Sequence, residues 1–246
     1  MMKIGDKVEN FIAPPSPKGV TIDGDLVRLV PLNAGQHAAD LFAENSKHIE
    51  GTDWTYMAYG PFATLEEYAE WVRGFEDDND TIFLAIIRKS DEKAVGVASF
   101  LRINPVFGSI EVGHIYYSPL LQNTTQATEA MYLMMKWVFE NGYRRYEWKC
   151  DALNKRSRIA AQRLGFSYEG VFRQMMMVKG RNRDTAWFAI IDTAWFAIID
   201  KEWNELSGYF QKYLSKENFD EKGTPKVSLS TLTKPNLYKT DTFEFT

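Results

Sequence analysis

Two β-rich runs held apart by one long amphipathic helix restrict the fold of this 246-residue chain more than any other feature. The runs are residues 109–117, SIEVGHIYY, and residues 143–150, YRRYEWKC. Between them Ala130, Leu133, Met134, Trp137 and Val138 recur at helical spacing, which predicts a helix over residues 122–141 closed by Gly142. A long crossover of this kind returns the chain in its original direction. The two strands are therefore expected to be parallel, with a right-handed connection.

The rest of the chain fills in around that unit. Residues 26–32, LVRLVPL, read as a first strand, and Ala38, Leu41 and Phe42 mark a helix over residues 34–46. Residues 47–63 are dense in aromatics and end in Gly60-Pro61, so they read as a loop or irregular helix. Thr64 with Glu67 is a capping-box pattern ahead of a helix over residues 65–77. Residues 81–88 and 94–103 form a hairpin about Ser90-Asp91-Glu92, and Asn104-Pro105 with Gly108 break the chain after it. Asn154 caps a short helix that ends at Gly165. Residues 166–178 are strand, turned back by Gly180-Arg181-Asn182. A helix over residues 200–214 carries Trp203, Leu206, Phe210 and Tyr213 on one side. This order predicts an α/β domain with a mixed, mostly antiparallel sheet flanked by helices. It divides the chain into an extended lead-in (residues 1–20), the domain (21–214) and an extended, Ser/Thr/Lys-rich tail (215–246).

An exact repeat interrupts this scheme. DTAWFAII occupies residues 184–191 and again residues 192–199. A period of eight is too short for a solenoid unit. Only one copy can serve as the final strand in its normal register, and the residues alone do not say which. An even-numbered slip leaves side chains on their proper faces, because the strand period is two.

Charge and cysteine content narrow the function. The formal net charge is −4, and no basic face is visible beyond pairs such as Arg144-Arg145, which argues against a nucleic-acid partner. The N-terminal residues lack the apolar run of a signal peptide, and no uncharged stretch is long enough to span a membrane. Cys150 is the single cysteine, so no intrachain disulfide forms, as expected of a reducing, cytoplasmic compartment. The chain holds three histidines, scattered and without paired Cys/His spacing, and neither a nucleophile-elbow nor a P-loop pattern is present, so no metal is expected.

Residues 111–130, EVGHIYYSPLLQNTTQATEA, resemble the central motif of the GNAT superfamily of N-acetyltransferases. Residues 154–170, NKRSRIAAQRLGFSYEG, resemble that family's second hallmark in its ribosomal-protein-acetyltransferase-like branch. The resemblance spans about residues 25–210. It implies an enzyme that moves an acetyl group from acetyl-CoA to a primary amine by direct attack in a ternary complex. The acceptor would be a small-molecule or peptide amine; a homodimer is compatible with the resemblance. It further implies that Gln122, Asn123, Thr124, Thr125, Gln126 and Ala127 hold the diphosphate, at a helix N-terminus whose free amides attract anions. Thr125 stands where the family usually has Gly; taken alone, this segment is simply a polar loop opening a helix. A bulge in the preceding strand, near Ile115, Tyr116 and Tyr117, is implied to bare amides for the pantetheine arm and the acetyl carbonyl.

The resemblance also points to the reacting groups. Glu111 is the first choice for the carboxylate that takes a proton from the attacking ammonium, against the plain reading of a solvated strand residue. His114 falls on the face opposite Glu111 if alternation holds, an order that a bulge would reverse, and reads either as a proton relay or as a structural histidine. Ala161 stands where many family members have a tyrosine proton donor; Ser157 matches the donor of the ribosomal-protein branch, or is an ordinary helix-start residue. Asn154 resembles the residue that bonds the pantetheine arm, and Arg158 is a candidate phosphate ligand. Trp54, Tyr56 and Met57 border the acceptor side, or simply pack onto the core. Cys150 and Met175 to Met177 read as filler. Two rival readings follow from Thr125 and the missing tyrosine, and from the tail: a non-catalytic acyl-CoA-binding or regulatory module, and a partner-binding protein.

Overall fold

A computed structural model describes residues 7–47, 51–190 and 200–237. Its frame is one eight-stranded sheet in the order β1-β2-β3-β4-β5-β6-β8-β7. The strands are β1 (Ile22–Asp23), β2 (Val27–Pro31), β3 (Thr81–Arg88), β4 (Lys93–Asn104), β5 (Ser109–Tyr117), β6 (Arg145–Asp151), β7 (Ser167–Val178) and β8 (Arg181–Ile190). The helices are α1 (Ala34–Asn45), α2 (Leu65–Glu76), α3 (Thr125–Glu140), α4 (Lys155–Arg163), α5 (Asp200–Leu214) and α6 (Leu229–Thr233). Every neighbouring strand pair is antiparallel except β5 and β6, which are parallel and joined through α3, as the crossover requires.

Alternation along β3 divides the interior. Leu84 and Ile86 join a core cluster with Met131, Met134 and Val138 of α3 and Leu206 and Phe210 of α5. Phe83, Ala85 and Ile87 join Leu41 of α1, Tyr68 and Val72 of α2, and Trp54 on the other face. β6 alternates too: Tyr146, Trp148 and Cys150 are buried in the α3-side core. The chain between them, Arg145, Glu147 and Lys149, therefore faces the α1–α2 side. The α2 cap forms as its sequence predicts. Thr64 Oγ1 accepts the Glu67 amide at 3.2 Å, and the Glu67 carboxylate accepts the Ala63 amide at 2.8 Å.

Several boundaries differ from expectation for identifiable reasons. α3 begins at Thr125 instead of residue 122, because Asn123 sits at φ 58° and Thr124 caps the helix, accepting the Ala127 amide at 3.2 Å. β6 begins at Arg145, because the amides of Arg144 and Arg145 are both turned onto the Gly108 carbonyl. The tail is not simply extended: Lys216–Asn218 and Lys234–Asn236 are 3-10 turns and α6 lies between them. Leu229 and Leu232 of α6 are buried in the α3-side core, and Thr233 Oγ1 donates to the Arg163 carbonyl at 3.2 Å. Through residue 237 this segment belongs to the same packed body as the sheet.

The first copy of the octapeptide supplies β8, pairing Thr185 to Ile190 with Asp151 to Tyr146 of β6. The second copy, residues 192–199, lies outside the described residues. Both sheet edges are irregular. β1 is two residues long, and β7 shifts register against β8 between Tyr168 and Gly170 and again between Phe172 and Met176.

Candidate active site

β5 and β6 pair only from Ser109↔Arg145 to Val112↔Trp148, although β5 continues to Tyr117 and β6 to Asp151. Beyond Val112 the β6-facing edge of β5 has no strand partner, and the two strands part into an open mouth. A bulge lies at that point. On β4, Val97 and Ser99 are two residues apart; their β5 partners Tyr116 and Gly113 are three apart, with His114 at φ 51°. The extra residue decides the face of His114. Strict alternation sets it opposite Glu111, whereas the bulge turns it onto the same face, where its ring packs on Phe83 and Tyr59. Its Nδ1 lies 2.9 Å from the Tyr59 hydroxyl. Burial, then the nearby charges of Arg102 and Arg183, push the His114 pKa down to about 4, so the imidazole is neutral at pH 7.

Glu111 is 3% exposed and is not a solvated strand residue. Its Oε1 accepts from Arg102 Nη1 at 2.6 Å, and its Oε2 accepts from Lys149 Nζ at 2.6 Å. The network continues from Lys149 to Glu147, from Glu147 to Arg145, and from Arg145 to both oxygens of Glu169 at 2.9 and 3.0 Å. Burial raises the Glu111 pKa above the ordinary carboxylate range, against the pull of Lys149 and Arg102. Burial also opposes the charge of Glu147, yet Arg145 and Lys149 together hold that carboxyl below the ordinary range.

At the other wall of the mouth, Asn154 caps α4, its Oδ1 accepting the Ser157 amide at 3.1 Å. The Ser157 hydroxyl accepts the Trp148 indole N–H at 3.0 Å, which leaves its own proton to donate. It lies beside Cys150, whose thiol burial pushes up to about 11. Arg158 departs from expectation: it is 3% exposed and turns inward, donating to the Ala152 carbonyl at 2.9 Å, so it braces the loop before α4 instead of facing a phosphate.

The residues meant for the diphosphate gather at the start of α3. Ala127's amide is taken by the Thr124 hydroxyl, while those of Thr125 and Gln126 are first-turn donors without an acceptor in the helix. Thr125 is the first helical residue, so its side chain does not occupy the cap itself. Gln122 donates from Nε2 to the Tyr117 carbonyl at 2.9 Å and ties this loop to the end of β5. Asn123 is the exposed left-handed residue of the turn. The Tyr117 hydroxyl is buried with no partner among the described residues, and Ile115 packs against the α3-side core.

The aromatic loop is divided between the core and the rim of the mouth. Trp54 is buried and stacks on Tyr116 with centroids 4.1 Å apart, and Met57 packs beside it. Gly60 is required there: it has φ 66°, and a Cβ would lie 2.4 Å from the Trp54 ring. Tyr56 reaches across the mouth instead, donating to the Leu153 carbonyl at 3.2 Å. Arg102, Lys149, Tyr59 and Arg183 were not foreseen. The charged alternation of Arg145, Glu147 and Lys149 along β6 was the one visible signal for any of them. Among the described residues no group of three His, Cys, Asp or Glu side chains is placed to hold a metal.

A parallel strand pair that opens beside a bulge, with a capped helix N-terminus at its end, defines the acyl-CoA N-acyltransferase class of fold. The sequence profile of the GNAT acetyltransferase domain matches residues 27–167. The crystal structure of a GCN5-related N-acetyltransferase from Brucella melitensis is 41% identical, covers 92% of this chain and 100% of its own, and superposes with a TM-score of 0.86. An acetyltransferase of the GNAT family from Chromobacterium violaceum ATCC 12472 is 34% identical over 83% of this chain and 98% of its own, with a TM-score of 0.74. A protein assigned as a ribosomal-protein-serine acetyltransferase from Vibrio cholerae shares the fold at 16% identity, over 72% of this chain and 100% of its own, with a TM-score of 0.60. No curated protein matches the chain in sequence. The chain belongs to the GNAT acetyltransferase family. It is an acetyl-CoA-dependent acetyltransferase.

Proposed function

We propose that the protein acetylates a primary amine by direct attack within a ternary complex, as in the ribosomal-protein-acetyltransferase-like branch of the family. The observation that carries this reading is the β5–β6 pairing that ends at Val112 and Trp148 beside the bulge at His114. Acetyl-CoA, when bound, supplies a thioester carbonyl for the amine to attack. Backbone groups of Ile115, Tyr116 and Tyr117 hold the pantetheine arm and face the acetyl oxygen. Donors fixed by a sheet need no rearrangement as charge develops on that oxygen. The amides of Thr125 and Gln126 take the diphosphate.

The attacking nitrogen must first lose a proton. Arg102 has a side chain 51% exposed, and half-exposed ion pairs are weak. An incoming ammonium therefore replaces Arg102 at Glu111 Oε1 and gives up its proton there, while Lys149 keeps the carboxylate in place. Ser157, whose oxygen is occupied by Trp148, donates its hydroxyl proton to the departing sulfur and takes back the second proton that the nitrogen sheds as the amide forms, so the hydroxyl is restored. His114, neutral and bonded to Tyr59, shapes the site and relays no proton.

The acceptor is a small-molecule or peptide amine, and the setting is the cytoplasm, as the single buried cysteine suggests. Acetyl-CoA consumption measured against amino acids, polyamines and peptides tests the reading. Transfer to at least one class is expected. Intact coenzyme A binding with no transfer to any class overturns it.

A further inference from the structure

We propose that the acceptor is a small amine carrying an anionic oxygen group, carboxylate or phosphate, a few atoms from its nitrogen, and that Arg183 binds that group. The inference rests on the acetyl-transfer reading of the mouth.

Along β8, Ala186 and Phe188 are buried in the α3-side core. Alternation therefore turns Arg183, Thr185 and Trp187 to the face that holds Glu111 and Lys149. Trp187 is the β8 partner of Lys149 of β6, whose ammonium sits 3.9 Å from the centre of the indole ring. Each of the three β8 residues carries a buried polar atom with no partner: Arg183 Nε, Thr185 Oγ1 and Trp187 Nε1. Buried polar groups are nearly always paired in native proteins. Three orphans at successive inward positions of one strand, two of them obligate donors, point to a ligand that brings acceptor atoms.

Charge points the same way. On this face Arg102, Lys149 and Arg145 are matched by Glu111, Glu147 and Glu169. Arg183 makes no ion pair among the described residues, so its charge is left unbalanced. Thr185 pairs with Asp151, the last residue of β6, so Arg183, two residues further along β8, lies just past the end of β6 beside the mouth. A guanidinium presents forked donors that match carboxylate and phosphate oxygens.

The surrounding ties limit the size of the acceptor. Lys179, at the β7–β8 turn, donates to the carbonyls of Trp54 at 3.1 Å and Gly60 at 2.9 Å. Tyr56 ties the same aromatic loop to Leu153. The acceptor side is bridged at both ends, which suits a small molecule and not the surface of a folded protein.

Initial rates with the full chain and saturating acetyl-CoA test this, using β-alanine, 2-aminoethylphosphonate and ethylamine, with and without Arg183→Met. We expect kcat/KM at least tenfold higher for an anionic amine than for ethylamine. The carboxylate and phosphonate arms identify which oxygen group is preferred. Arg183→Met should abolish that preference through KM and leave ethylamine turnover and coenzyme A affinity unchanged, and Arg183→Lys should restore part of it. Equal or better use of ethylamine overturns the inference but leaves acetyl transfer standing, as does a variant that slows every amine alike. Calorimetry on the coenzyme A-loaded protein reads the same contact without turnover: binding of an anionic amine that Arg183→Met removes supports the inference, and no binding of either anionic amine overturns it.

Discussion

The Lys149 ammonium lies 2.6 Å from Glu111 Oε2, inside a face where both side chains are more than nine-tenths buried. Removing either partner leaves the other buried without its counter-charge. Glu111→Gln keeps the shape and removes the proton acceptor. We expect kcat to fall about 10²–10⁴-fold, the range of general-base catalysis, with coenzyme A affinity within twofold. Lys149→Met should lower unfolding free energy by about 3–5 kcal/mol, as for other broken buried pairs. Stopped-assay kinetics and urea titration read the two effects. A Glu111→Gln enzyme with full kcat removes Glu111 from the mechanism.

Ser157 is poised to donate because Trp148 occupies its oxygen. Ser157→Ala should lower kcat by about 10²-fold with KM for acetyl-CoA unchanged. The loss should shrink with an acyl donor whose thiol is more acidic, because that leaving group needs no proton. Equal loss with both donors would show that Ser157 only supports α4.

Thr125 offers a way to delete one phosphate donor without harming the helix. It is the first residue of α3, where proline is tolerated, and Thr124 before it is already extended at φ −106° and ψ 162°. Thr125→Pro should keep the melting temperature and weaken coenzyme A binding about tenfold, near the 1.4 kcal/mol of one charge-assisted hydrogen bond. Unchanged affinity by calorimetry would move the diphosphate elsewhere.

His114 makes stability depend on mildly acid pH. Unfolded, it binds a proton near pH 6.5; folded, it resists until about pH 4. The unfolded state therefore binds more protons in between, and stability falls as pH drops through that window. His37, also lowered by burial, adds in the same direction. Urea midpoints from pH 7 to pH 5 should decline in the parent and decline less in His114→Asn. Parallel slopes would show that His114 titrates normally.

The tandem octapeptide is expected to be removable. The first copy makes all the β8 pairings to β6, and Asp192 and Asp200 follow the two copies identically. Excising residues 192–199 leaves Arg183 directly before one intact DTAWFAII, whichever copy is cut. The shortened chain should keep kcat, KM and coenzyme A affinity. A shortened chain that fails to turn over while still folded would give the second copy a function.

Much of the frame was legible in the residues. The crossover helix, the hairpin of β3 and β4, the Thr64 cap and the parallel order of β5 and β6 follow from spacing and turn chemistry, whereas the bulge in β5 was implied only by the family resemblance. What stayed hidden depends on contacts far apart in sequence. Glu129 reads as a polar residue on a surface helix, yet its carboxylate accepts the amides of Asp25, Leu26 and Val27. Arg102 and Lys149 flank Glu111 only once β4, β5 and β6 lie side by side. The face of His114 stayed open in the sequence, because a period-two count holds only until one left-handed residue inserts a bulge. Arg158 was misjudged because a helix-start arginine looks solvated until the loop before it folds back.

The two ends of the sheet carry a consequence for self-association. At one side the outermost ribbon offers only the short run of Ile22–Asp23; at the other, β7 breaks step twice. A neighbouring copy cannot zip its own backbone onto either margin over any useful length. Any contact at the β7 margin would fall to side chains such as Val171, Met175 and Met177, which lie open along that strand, instead of to a continuous ladder.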